Sequence, residues 1–315
     1  MDEYEIIRLL TKKAGRLPRG YLPIGDDVAA LPGRRSKLVL KSDMLVAKTD
    51  VPPGMTWRQA GRKSVAMCVS DFAAKGVSPQ AFMVSLGIPR TLSDLGVRSL
   101  VEGFADGMKE WGVHLVGGDT NEASDVIVDC TMTGFAEHIV RRSGAAPGEL
   151  IVVTGEFGTT SAGLKILLEG ARSDPGFRRS ALSSVYRPSP RLGLGIALSR
   201  HISSAMDSSD GLAICLHTIA EMSGVGVRID RLPYRGSRLE KFSVQNGYRV
   251  GDLVLYGGEE YEIVATVAKE RLEQAQEAAS TMGAKLLVIG ETTGGGGVVS
   301  SNGDEIQKKG WVHLA

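Results

Sequence analysis

The acidic residues of this 315-residue chain gather beside glycines. Gly25-Asp26-Asp27, Asp43, Gly117-Gly118-Asp119, Asp207-Ser208-Ser209-Asp210-Gly211 and Gly257-Gly258-Glu259-Glu260 fall in loops or at expected element ends. Carboxylates that converge repel one another and raise each other's pKa, so a shared site needs a cation. Magnesium suits such a site, because it takes hard oxygen ligands and often shares substrate phosphates. Asp71 extends the pattern. It falls with Ala60, Ser64, Met67 and Ala74 on one stripe at i, i+4, i+7, i+11 and i+14 helical spacing. A carboxylate in a stripe of small and apolar residues must find a partner or a cation. Each acid also has a structural reading. Asp210 can cap a helix, Asp26, Asp27 and Asp119 can be turn residues, and Asp71 can make a structural hydrogen bond. Residue type alone leaves both readings open.

Other chemistries find little support. No GxxxxGK[ST] loop is present, and Gly155-Glu156-Phe157-Gly158 has no lysine at the spacing a phosphate loop needs. The glycine run 294–297 resembles a phosphate loop but precedes no helix. His114, His138, His201, His217 and His313 show no zinc spacing, and no nucleophile elbow points to Ser-His-Asp hydrolysis. Cys68, Cys130 and Cys215 are far apart without a CxxC pair, so neither a disulfide framework nor a cysteine zinc site follows. Metal-assisted phosphoryl chemistry remains.

The elements that must carry these acids are legible from periodicity and caps. Residues 37–41 read as a strand ending at Ser42-Asp43. Residues 56–75 read as a helix, with Thr56 as N-cap and Gly76 as its left-handed stop. A strand at 81–88 is ended by Pro89. A second helix at 93–111 carries Val97, Leu100, Val101, Phe104 and Met108 on one stripe and closes at Gly112. A strand at 113–116 leads into Gly117-Gly118-Asp119, and another covers 126–135. After a basic, Gly/Pro-rich junction at 140–148, a strand at 150–154 precedes a helix around 164–168. A helix at 210–222 stops at Gly224. Strands at 261–267 and 285–289 flank a helix at 269–282, and a hairpin is expected around Asn302-Gly303. Both halves mix strands and helices without regular βα alternation. The expected fold is α/β (α+β) in two domains, 1–140 and 141–315.

Composition agrees with a globular chain: 43% hydrophobic and 23% charged residues support sizeable cores. Length alone suggests two domains at about 150 residues each. The net charge of +1 gives no overall field for nucleic acid or an anionic membrane, and 5% aromatics argue against stacking platforms. The acidic start Met1-Asp2-Glu3-Tyr4-Glu5 does not read as a signal peptide, and no apolar run approaches the roughly 18 residues of a membrane span. A cytoplasmic location is expected.

In order along the chain, these blocks resemble the thiamine-monophosphate kinases, a branch of the superfamily named for aminoimidazole ribonucleotide synthetase. The likeness is carried by Ile24-Gly25-Asp26-Asp27-Val28-Ala29, Ser42-Asp43-Met44-Leu45-Val46, Val69-Ser70-Asp71-Phe72-Ala73-Ala74-Lys75-Gly76 and Val116-Gly117-Gly118-Asp119-Thr120. It continues through Arg142-Ser143-Gly144-Ala145, Val153-Thr154-Gly155, Asp207-Ser208-Ser209-Asp210-Gly211-Leu212, Gly257-Gly258-Glu259-Glu260-Tyr261-Glu262 and Gly310-Trp311-Val312-His313-Leu314. Any one block is weak; their succession is specific.

The resemblance implies an N-terminal α/β domain whose strands form a β-barrel across a homodimer, and a C-terminal α/β domain completing the active site. It implies ATP-dependent phosphorylation of thiamine monophosphate to thiamine diphosphate by direct in-line transfer. Several magnesium ions would be held by Asp27, Ser42, Asp43, Asp71, Asp119, Asp207 and Asp210. ATP would meet Gly118, Asp119, Arg142 and Ser209, with Asp71, Asp119 and Arg142 carrying the chemistry. Thiamine monophosphate would lie near Glu259 and Trp311, whose indole can stack on a flat cation. Two positions depart from the family. Asp50-Val51 stands where many members have His-Phe, so a substrate-side histidine contact is either missing or replaced by Asp50, and Val101 stands where a nucleotide-contacting tyrosine is common. Two other readings remain: an ATP-dependent relative acting on a different small acid or ribonucleotide, and a non-catalytic scaffold. A scaffold would be expected to lose the acids, and all seven ligand positions are present.

Overall fold

The chain forms two sheets, one in each half. A computed structural model describes Arg19, Leu22, residues 26–33 and residues 36–312. Ile24, Gly25, His313 and Leu314 lie outside the described residues.

The first half contains β1 (Ala29–Pro32), β2 (Lys37–Val46), the turn α1 (Ala47–Asp50), α2 (Trp57–Ala74), β3 (Pro79–Ile88), α3 (Asp94–Trp111), β4 (His114–Glu122) and β5 (Ile127–Ala136). Its sheet runs β1-β2-β5-β3-β4, antiparallel except for the parallel pair β3 and β4. β2 pairs with β5 from Lys37↔Ala136 to Val46↔Ile127 without a slip. That long pairing carries β2 past the expected end at Ser42-Asp43. The two residues are therefore mid-strand, with side chains on opposite faces. Likewise β4 extends to Glu122, so Gly117-Gly118-Asp119 lies inside the strand rather than after it. On one face, Val39, Leu45, Val128, Cys130 and Met132 are buried against α2 and α3. The other face is open in the single chain and exposes Met44, Met83 and Phe135. The edge strand β4 is exposed along its whole length.

Local signals set the two helices. Thr56 and Gln59 form a reciprocal capping box at the start of α2, and Gly76 follows its end with φ +66°. Ser93 caps α3 by accepting from the Gly96 N–H, and Gly112 closes it in the left-handed region.

The second half contains β6 (Leu150–Val153), α4 (Thr159–Leu168), α5 (Pro175–Tyr186), α6 (Leu192–Leu198), β7 (Ser204–Asp207), α7 (Leu212–Ser223), β8 (Gly226–Ile229), α8 (Gly236–Asn246), α9 (Val250–Tyr256), β9 (Ile263–Val267), α10 (Leu272–Thr281), β10 (Leu287–Thr293) and β11 (Val298–Ser300). The sheet order is β11-β8-β10-β6-β9-β7. Both faces are covered, as the continuous apolar run of β6 requires. Ile151 and Val153 enter a core with α4, α7 and α8, whereas Val152 enters one with α6 and α10. Ala73 and Ala74 of α2 belong to that last core, so the end of α2 is packed into both halves. The Asn302-Gly303 turn is present, with Gly303 N–H donating to the Ser300 carbonyl and Val299 bridging Glu305. Among the described residues no helix is long and apolar enough to cross a membrane.

Candidate active site

The last two turns of α2, the end of β7 and the loop before β1 meet at the seam between the two halves. There Asp27, Asp71 and Asp207 are all buried, and one carboxylate oxygen of each lies within 4.8 Å of the others. Ser70, beside Asp71 on α2, donates to Asp207 Oδ2 at 2.8 Å, which fixes that carboxylate across the seam. Asp43 joins from β2 through Lys41, whose ammonium is 2.9 Å from Asp71 and 3.7 Å from Asp43. Lys75 is fully buried. It pairs with Asp26 at 2.9 Å and with Asp27, and donates to the Ala205 carbonyl at 2.6 Å. Arg142 brings two guanidinium nitrogens onto Asp27 Oδ1, while its backbone N–H donates to Asp26 at 3.1 Å.

Five carboxylates thus face three cations, and the charge states show the imbalance. Burial pushes Asp71 well above the usual carboxylate range, and Asp207, Asp43 and Asp27 add repulsion that Lys41 only partly offsets. Burial, then Asp27, raises Asp207 to about 6. Burial alone would raise Asp27 too, but Lys75 and Arg142 hold it below the usual value. A divalent cation between Asp27, Asp71 and Asp207 would relieve this repulsion, and oxygen-only donors are the set magnesium takes. The residues present fit that ion.

A second cluster borders the first. The loop 207–211 and the loop 257–262 are tied together by Glu259 N–H to the Ser209 carbonyl (2.6 Å), Ser208 N–H to the Glu262 carbonyl (2.9 Å) and Glu262 N–H to Ser208 Oγ (3.0 Å). Glu259 and Tyr261 both have positive φ, +63° and +54°, a strained state for residues with a Cβ. The chain end packs on the same loop: Trp311 N–H donates to the Asp210 carbonyl at 3.0 Å. A Cβ on Gly310 would stand 2.1 Å from that carbonyl, so only glycine permits the approach. Trp311 is half exposed above it.

The structure gathers some of the sequence candidates and separates others. Asp27, Asp43, Asp71, Asp207 and Arg142 meet at the seam; Ser209, Asp210, Glu259 and Trp311 meet at the loop cluster. Asp210 does not cap α7, whose N-cap is Gly211 without a side-chain bond. Ser42 faces away from Asp43 and donates to Asp129 at 2.5 Å. Asp119 pairs with Ser85, itself opposite Asp129, which places Asp119 on that same open face. Gly118 lies against β3, where a Cβ would stand 2.1 Å from the Val84 carbonyl. Asp50 turns its carboxylate back onto Val46 N–H (2.7 Å) and Thr49 Oγ1 (3.0 Å), closing α1. The turn at Gly155-Glu156-Phe157-Gly158 is already filled by a carboxyl group. Glu260 accepts from Gly158 N–H (2.6 Å) and Thr160 Oγ1 (2.8 Å) at the start of α4. Burial raises Glu260 to about 7. Sequence reasoning missed Lys41, Lys63 and Lys75. Lys63 is fully buried and pairs with Glu259.

Residues 25–136 match the AIR synthase related protein N-terminal domain, and residues 146–301 match its C-terminal domain. The thiamine-monophosphate kinase of Nitrosopumilus maritimus is 36% identical over 317 residues, covering 100% of this chain and 99% of that protein. The chain belongs to the thiamine-monophosphate kinase family. The Pyrococcus abyssi member is 37% identical, covering 100% of this chain and 96% of that protein. A solved complex of AaThiL with AMPPCP and TMP superposes at a TM-score of 0.88, with 26% identity over 99% of this chain and 97% of that one. The family's likeness thus spans both sheets and the seam between them.

Proposed function

We propose that this chain transfers the γ-phosphoryl group of ATP to thiamine monophosphate, giving thiamine diphosphate and ADP. The observation that carries the reading is the buried triad of Asp27, Asp71 and Asp207 in a chain of this family. The acceptor is a phosphate monoester, largely ionised at neutral pH, so no general base is needed. The barrier is repulsion between two anionic phosphates. Bound magnesium supplies charge neutralisation and alignment of the two phosphates. Asp27, Asp43, Asp71 and Asp207 are the proposed ligands at the seam. Ser42, Asp119 and Asp210 are proposed for additional ions; Ser42 and Asp119 stand on the other sheet face, so their ion is not the one within the triad. Arg142 is proposed to exchange Asp27 for ATP phosphate oxygens, which its planar fork suits. Gly118, Asp119 and Ser209 are proposed to flank the nucleotide, and Glu259 and Trp311 the thiamine.

Residues 1–140 and 141–315 are proposed as the two working units. The open face of the first sheet, with Met44, Met83 and Phe135 exposed, is proposed to close as a barrel against a second copy. A cytoplasmic location is proposed from the use of ATP. The test is chromatography of products from ATP, magnesium and either thiamine monophosphate or thiamine. Magnesium-dependent thiamine diphosphate from the monophosphate alone supports the reading. ADP release only with another small acid or ribonucleotide overturns the substrate, and no turnover with any acceptor overturns the activity.

A further inference from the structure

Lys63 is a buried cation that the phosphoryl chemistry leaves unused. It stands on the inner side of α2, two turns before Asp71, with its side chain wholly shielded from solvent. Its ammonium bonds Glu259 Oε1 and donates to the Asp50 carbonyl at 2.9 Å. A buried ammonium is costly unless paired and hydrogen-bonded, and both conditions are met here by groups from two separate segments. Each partner is itself fixed. Asp50 is locked by its own carboxylate, which accepts from Val46 N–H and Thr49 Oγ1. Glu259 is held at φ +63° with its N–H on the Ser209 carbonyl at 2.6 Å. Strain of this kind persists only where the surroundings impose it, and it concentrates at ligand sites. Among the described residues Glu259 is bonded through Oε1 alone, and its side chain stays 23% exposed. One oxygen is thus anchored while the group still reaches solvent.

We infer that Lys63 is a positioning residue that determines specificity. By pinning Glu259 Oε1 to the Asp50 turn, it aims the other carboxylate oxygen at the cationic ring of the thiamine moiety. The inference rests on the proposed function, in which Glu259 flanks that substrate. Asp50 then contributes through its carbonyl and its turn. A ring without positive charge gains little from this arrangement, so discrimination is expected between thiamine monophosphate and analogues with a neutral ring.

The test is a double-mutant cycle of Lys63→Met and Glu259→Gln, read by steady-state kinetics with the full-length protein. Lys63→Met should raise KM for thiamine monophosphate about tenfold, with kcat and KM for ATP within about twofold. In the Glu259→Gln background it should add nothing to KM. Lys63→Gln, which keeps a donor, replaces Lys63→Met if that variant does not fold. An unchanged KM, equal losses in kcat and KM for both substrates, or an effect undiminished by Glu259→Gln would overturn the inference. A merely structural strap would lower the melting temperature and leave KM alone. A wild-type protein without activity on thiamine monophosphate overturns the proposed function and this inference together, and that is seen before any variant is made.

Discussion

Asp71 and Asp207 each carry a charge that the fold itself disfavours. Asp207 rises from an ordinary 3.8 to about 6, so its protonated form is favoured in the folded chain. A raised carboxylate contributes stability below the unfolded pKa and loses it as pH rises through the folded one. Between about pH 4 and pH 7, Asp207→Asn should therefore gain stability relative to the metal-free wild type, as measured by thermal melts in chelator. Magnesium should close that gap, since ionised carboxylates are what it binds. Asp71→Asn should lower turnover at least about 100-fold, because one ligand and one neutralising charge leave the site. Its metal-free melting temperature should match or exceed that of wild type. Asp71 was legible in the sequence because a carboxylate on a stripe of small residues is anomalous. Lys41, Lys63 and Lys75 were not, because lysines usually lie in solvent and nothing in their spacing announces burial. The separate faces of Ser42 and Asp43 were hidden as well, since a side-chain direction depends on where the strand runs.

At the scale of elements, the seam depends on loops that lock one another. Gly310 is the narrowest contact: Gly310→Ala would drive a methyl group into the Asp210 carbonyl and displace Trp311. Overpacking of this kind costs about 1–3 kcal/mol. KM for thiamine monophosphate should rise while KM for ATP changes little, by initial-rate kinetics. The start of α4 offers a contrasting case. Glu260 fills an N-terminal site that a phosphate could otherwise use, and burial lifts it to about 7. Glu260→Gln keeps an acceptor and removes the buried charge, so its melting temperature at pH 8 should equal or exceed that of wild type. Glu260→Ala should lose about 1 kcal/mol as the cap disappears. Caps at Thr56, Gly76 and Gly112 were legible because they are local. The reach of β2 through Asp43, and of β4 through Asp119, was not, because pairing with β5 and β3 sets it across long sequence separations. β1, β7 and β8 were missed because their four residues include small, polar or proline positions, unlike the unbroken apolar run of β6.

For the whole molecule, one open sheet face remains to be covered in the proposed assembly. Phe135→Arg would place a charge on the open face that also carries Met44 and Met83. Light scattering should show a dimer for the wild type and a monomer for this variant. An unchanged dimer would place the interface elsewhere. The broad two-sheet α/β organisation was legible from the mixture of elements in each half, while the joining of both halves through Ala73 and Ala74 appears only in three dimensions. The central claim is that the Asp27, Asp71 and Asp207 triad binds the ion that supports phosphoryl transfer. The direct measurement is calorimetric magnesium titration of wild type and Asp71→Asn in the presence of a non-hydrolysable ATP analogue, with thiamine diphosphate formation followed on the same preparations. The variant should bind at least one ion fewer and lose turnover in parallel. Full magnesium binding and near-normal turnover in Asp71→Asn would contradict the account.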